Sequence, residues 1–100
     1  MNKKSQNTIP QEEIIIIKQI DLLAYLLQFE PNSIIKNGNH YESIIHEGLC
    51  IYSKKWNWKR KGQNGKSALE YLVFVERMGF LDAAYLLKNC MIASDGHLYG

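Results

Sequence analysis

The spacing of apolar residues changes twice along this chain, and those two changes limit its fold more than any single motif does. Up to Phe29 the spacing is helical, with Ile16, Ile20, Leu23 and Leu27 recurring three and four residues apart and Ile17, Tyr25 and Leu26 beside them. Pro31 ends that pattern, because the residue before a proline is pushed out of the α region. From Asn32 the period is two. At Ser67 it turns helical again, and Ser67-Ala-Leu-Glu70 spells a capping box, in which the serine hydroxyl accepts from the third amide and the glutamate reaches back to the first. Helix, sheet, helix within 100 residues predicts an α+β domain with its helices packed on one face of a small antiparallel sheet.

Pro10 suits the first turn of a helix, where its missing amide hydrogen is not needed, and Glu12 and Glu13 complement the helix dipole. The expected first helix is a long one, ending at or before Glu30. Residues 14–17 are all isoleucine, however, and such a β-branched run also allows a short edge strand with the helix beginning only after Lys18. Asn37-Gly38-Asn39 reads as a turn, 41–46 as a strand, Glu47-Gly48 as a tight loop and 49–52 as the returning strand. A turn at 53–55 then leads into a third strand over 56–61, for a sheet of about three strands. In that third strand Trp56 and Trp58 fall on one face and Lys55, Asn57, Lys59 and Lys61 on the other, so at least one tryptophan is expected against the helices. The helix opened by Ser67 should run to about Met78 with Gly79 as a left-handed cap, followed by a last helix over 80–87. Residues 1–8 are expected to be a disordered tail, 9–90 the single domain, and 91–100 a loose C-terminal tail.

The net charge of +2 is slight, but the charge is clustered. Between Leu49 and Ser67 lie Lys54, Lys55, Lys59, Arg60, Lys61 and Lys66, half of the 12 basic residues, with both tryptophans among them and no acid. Cations interleaved with aromatics can meet phosphates with charge and bases with rings. The candidate nucleic-acid-binding residues are therefore Lys54, Lys55, Trp56, Trp58, Lys59, Arg60, Lys61 and Lys66, and the candidate partner is single-stranded DNA. The same pattern also describes an amphipathic strand with a solvated lysine face. The competing function is docking of a protein partner through apolar surface, with Tyr52 and Tyr85 as candidate contacts.

Other chemistry is weakly represented. Gly62-Gln-Asn-Gly65-Lys66-Ser67 sits before a helix as a phosphate loop would, but it has two residues between its glycines where a nucleotide P-loop needs four. Its amides near Lys66 and Ser67 remain candidates for holding one backbone phosphate. His40, His46, His97, Cys50 and Cys90 are ligand types without compact pairing, no Ser/His/acid set stands out, and no metal, cofactor or enzymatic activity is expected. No apolar run reaches the roughly 18 residues of a membrane span, and the polar N-terminus lacks a signal-peptide core, so a cytoplasmic protein with reduced cysteines is expected.

The order of these elements is similar to a known one. A helix carrying Asp-Leu-Leu-Ala-Tyr-Leu, then Asn-Gly-Asn-His-Tyr, a hairpin, a Trp-rich strand, a Gly-bounded loop, Ser-Ala-Leu-Glu-Tyr-Leu and Gly-Phe-Leu-Asp-Ala-Ala-Tyr-Leu-Leu resembles the N-terminal zinc-finger-type domain of bacterial DNA primases. The closer resemblance is to the zinc-less variety that precedes toprim domains in proteins of plasmids and other mobile elements. In zinc-bearing relatives a Cys-x-x-His and a Cys-x-x-Cys hold the ion. Laid on this chain those positions fall at Ser43 and His46 and near Trp58 and Lys61, so only the histidine of the ligand set remains. The resemblance therefore implies that the domain carries no stoichiometric zinc, that tryptophan fills the vacated volume, and a role in gripping single-stranded DNA during replication or transfer of mobile elements.

Overall fold

The computed structural model describes residues 9–94; the tails expected at 1–8 and beyond residue 94 lie outside the described residues. The elements run α1 (Gln11–Ile17), α2 (Leu22–Phe29), β1 (Ile34–Asn37), β2 (His40–Ser43), β3 (Leu49–Tyr52), β4 (Lys55–Trp58), β5 (Gln63–Gly65), α3 (Ala68–Phe74) and α4 (Phe80–Ser94). The strands form one antiparallel meander in sequence order, β1-β2-β3-β4-β5. The class is the expected α+β, but the sheet has five strands where about three were expected. β1 is joined to β2 through Gly38, whose φ of 67° only glycine adopts without strain. β5 has the composition of a loop, and it is a strand because the exposed edge of β4 pairs with it, Trp56 opposite Gly65 and Trp58 opposite Gln63. Pairing overrides propensity there.

The long first helix is in fact two. α1 stops at Ile17, and Asp21 takes an extended conformation and caps α2, its carboxylate accepting from the Ala24 amide at 3.2 Å. The break is locked from outside, since the Ile20 carbonyl accepts from the Ala68 amide at 2.9 Å at the start of α3. Residues 14–17 are thus helical, not an edge strand, with Ile14 and Ile17 buried.

Four other boundaries also differ. β2 ends at Ser43, three residues before the expected end of that strand, because the serine hydroxyl accepts from the Ile45 amide at 3.2 Å and the His46 amide at 2.8 Å and turns the chain. β4 ends at Trp58, and Lys59–Lys61 form a 3-10 turn closed by Gly62 at φ 65°. α3 ends at Phe74, with Arg77 and not Gly79 in the left-handed conformation, while the Gly79 carbonyl accepts from Ala83 within the first turn of α4. α4 itself continues past Cys90 to Ser94, where a loose tail was expected.

Helices cover one face of the sheet. From that inner face Leu49, Ile51 and Trp56 join Ile17, Ile20, Leu22, Leu26 and Leu87 in the fully buried core. Trp56 is 1% exposed, its indole N–H donates to the Ser67 carbonyl at 3.1 Å, and its ring meets Tyr71 edge-on with centroids 6.1 Å apart. Burying a side chain of this size contributes roughly 4–6 kcal/mol before entropy is counted. Across the strand pair, a Cβ on Gly65 would lie 2.7 Å from Trp56 Cζ2, so glycine is required where the indole crosses β5.

Candidate nucleic-acid interface

The strand registers sort the expected contact residues. Ile35, Glu42, Cys50, Asn57 and Asn64 lie opposite one another across all five strands, and Asn37 with His40 and Tyr52 with Lys55 share that outer face. None of these residues is buried, and no described helix covers them. Trp56 belongs to the opposite row, between Ile51 and Gly65. Its place among the expected stacking residues is therefore corrected: a ring sealed between Tyr71 and β5 cannot meet a base.

The six cations do not form one strip, because the strand ends before Lys59. Lys55, Lys59 and Lys66 line an open groove of about 580 Å³ along β4 and β5, together with Asn57, Gly62, Gln63 and Asn64 and bordered by the buried Trp56 and its partner Gly65. Among the described residues no carboxylate lines it. Arg60 and Lys61 instead flank a second cleft of about 470 Å³, with Ile45, His46, Glu47 and Trp58. Lys54 lies at a third place, beside Lys18, Gln19 and Asp21, and Lys66 borders this cleft as well as the first groove.

Acids absent from the basic stretch in sequence reach it in space. Arg60 pairs with Glu47 at 3.0 Å. Lys54 has φ 66°, costly for a side chain with a Cβ, and its amide donates to Asp21 Oδ1 at 2.7 Å, so one aspartate both caps α2 and holds the β3–β4 turn. The Lys66 and Ser67 amides, candidates for a phosphate, both donate to Glu70 Oε1. The capping box of α3 thus fills its own anion site, and that expectation is corrected.

The remaining rings also have neighbours. Trp58 donates its indole N–H to the Glu47 carbonyl at 2.9 Å, meets His46 edge-on with centroids 5.2 Å apart, and carries the Lys61 ammonium 5.7 Å from its ring centre. Tyr52 stacks on His40 at 5.2 Å and has Lys55 at 5.3 Å. Tyr85 is partly buried against the core.

Behind the second cleft lies a polar cluster that sequence periodicity did not show. His46 Nε2 and the Tyr71 hydroxyl both meet Glu76 Oε2, at 3.0 and 2.7 Å. Burial pushes the Glu76 carboxyl up, but the hydrogen bonds from His46 and Tyr71 outweigh it and hold the group below its ordinary 4.5. Burial, then the Glu76 hydrogen bond, raises the Tyr71 phenol well above its usual range, so it stays a donor.

On the outer face, Asn37 Nδ2 donates to Glu42 Oε2 at 2.8 Å and His40 Nε2 lies 3.0 Å from the same oxygen; these two hydrogen bonds, Asn37 first, lower the Glu42 carboxyl. Cys50 stands across the strand pair from Glu42. Sequence spacing gives the histidines and cysteines no compact pairing; the pattern that brings this cluster together is the two-residue spacing of His40 and Glu42 on one strand opposite a cysteine on the next.

Among the described residues no helix is long and apolar enough to cross a membrane. No family model, no curated protein and no solved structure matches this chain.

Proposed function

We propose that the protein is a nucleic-acid-binding module that holds single-stranded DNA by its phosphates, weakly and without strong sequence preference. The observation that carries this reading is the groove along β4 and β5, lined by Lys55, Lys59 and Lys66 with side-chain amides between them and no carboxylate. Three cations in one acid-free groove can displace counterions from a strand, whereas Arg60 is engaged by Glu47. Base stacking has little part in it, since Trp56 is buried and the rings of Trp58 and Tyr52 already have partners.

The resemblance to zinc-less primase domains of mobile elements belongs to the same proposal. It is supported by the two turns aligned with the zinc-ligand pairs, which face one another and are joined by Trp58 to Glu47, by Arg60 to Glu47 and by the His46 ring against Trp58. In this reading aromatic packing and hydrogen bonds take the place of the ion.

Titration of a labelled single strand at several salt concentrations tests the reading. Replacing Lys55, Lys59 and Lys66 by alanine should weaken binding and flatten the dependence of log K on log salt by about 2, at about 0.7 per phosphate contact. The pair Arg60→Ala and Lys61→Ala should change the slope less. Absence of binding by the unaltered chain at low salt would reject the proposal, and equal effects from the two sets would reject the groove.

A second reading, a module that docks a protein, is favoured by a different surface. Phe74 and Phe80, 49% and 45% exposed, line a mainly apolar groove of about 330 Å³ with Leu69 and Val73, bordered by Lys18, Glu70 and the same Lys66 that lines the first groove. Complex formation there should resist salt and be lost in Phe74→Ser.

A further inference from the structure

We propose that His40, Glu42 and Cys50 form a three-donor site for a borderline divalent transition ion, of which Zn²⁺ and Co²⁺ are the types, on the outer face of the sheet. One ring nitrogen of His40, one carboxylate oxygen of Glu42 and the Cys50 sulfur all lie within 4.8 Å of one another. Backbone pairing sets this arrangement. His40 and Glu42 are alternate residues of β2 and so share a face, and Cys50 on β3 is the direct partner of Glu42.

Donors about 2.0–2.3 Å from a tetrahedral ion stand roughly 3.3–3.7 Å apart. The His40 Nε2 and Glu42 Oε2 atoms are 3.0 Å apart, so closure requires that pair to open slightly and the Cys50 side chain to turn toward it; among the described residues its sulfur has a long contact of 3.9 Å to the Gly48 carbonyl. The neighbours already orient the donors. Tyr52 stacks on the His40 ring, and Asn37 donates to the Glu42 carboxylate, the kind of outer contact that supports metal ligands.

A set of one imidazole, one carboxylate and one thiolate suits zinc or cobalt better than magnesium or calcium, which take oxygen ligands. On binding, the thiol releases its proton to solvent, and the Nε2 proton that His40 donates to Glu42 is lost to solvent while Nδ1 takes one up, so that the ring changes tautomer and presents the Nε2 lone pair to the ion. The dication with one carboxylate and one thiolate is then neutral, and its fourth position is open to water. The donors are not the positions that the primase resemblance aligns with zinc ligands, since Ser43 and Trp58 belong to the inner rows of the sheet. The site also lies outside the core, so removing the ion leaves the fold standing.

The test is titration of the full chain with Co²⁺ under a non-thiol reductant, followed by competition with Zn²⁺. The expected result is about one ion per chain, with a thiolate-to-cobalt charge-transfer band and the visible absorption of a tetrahedral centre, both abolished by zinc. Cys50→Ser should remove the charge-transfer band and His40→Ala should weaken binding at least about tenfold, whereas Cys90→Ser should change neither. Circular dichroism confirms that each variant is folded; if Cys50→Ser does not fold, His40→Ala and Glu42→Gln decide the matter. Absence of the band in the unaltered chain, its survival in Cys50→Ser, its loss in Cys90→Ser, or full affinity in folded His40→Ala would overturn the proposal.

Discussion

The two faces of one sheet show how far neighbouring residues can diverge in role. On β4, Trp56 is sealed into the core, whereas Lys55 and Asn57 on either side of it stand on an uncovered face beside Tyr52 and Cys50. The inner face has one solution for each position: an indole that fits only over glycine, an N–H that must find the Ser67 carbonyl. On the outer face, polar groups are held in loose pairs that a ligand can rearrange, and both functional proposals fall there. Burial makes the first face intolerant of change, and its absence leaves the second free to bind.

Substitutions should separate the two faces, and the largest effect is expected at Trp56. Trp56→Ala removes the largest fully buried side chain and should cost about 3–5 kcal/mol, enough to unfold much of a marginally stable domain in a urea titration. Next comes Gly65→Ala, whose methyl would press on Trp56 Cζ2 and Glu70 Oε1, both 2.7 Å away. A loss of about 1–3 kcal/mol by thermal unfolding is expected. A fully stable Gly65→Ala variant would mean that the indole does not lie over β5.

Between these extremes stands Glu76, which ties α3 to the turn at His46. Its carboxyl is held below the ordinary 4.5, so the stability it contributes is present above that value and is lost as pH falls through its lower folded value. Glu76→Gln should be less stable than the unaltered chain at neutral pH, by about 1 kcal/mol, and should lose less between neutral and acid pH. Parallel pH curves for the two proteins would show that the His46 and Tyr71 contacts do not hold in solution. The smallest effect is expected on the open face, where Lys55→Ala should shift stability by no more than about 0.5 kcal/mol. A larger loss there would mean that the outer face is covered, and the contrast between the faces would fail.

Local sequence carried the class of the fold and part of its core. Pro31 and the Ser67/Glu70 capping box bracket the sheet, 49–52 is the strand its alternation predicts, and the expectation of tryptophan against the helices holds at Trp56. These depend on spacings within a few residues, which a periodicity can report. The rest depended on partners distant along the chain. Asp21 stops the first helix because Ala24 needs a cap and the Lys54 turn needs an acceptor, and Gln63–Gly65 is a strand because β4 offers it an edge. Six cations close in sequence fall into different groups, with Lys66 bordering two of them, because the strand ends at Trp58 and Glu47 reaches Arg60 from another turn. His40, Glu42 and Cys50 become neighbours through strand register alone. Residue type and spacing determined which segments could be helix or sheet and which residues could carry charge or bind metal; only tertiary structure decided which of them meet, because strand pairing and charge pairing act through space between segments whose separation along the chain no local pattern records.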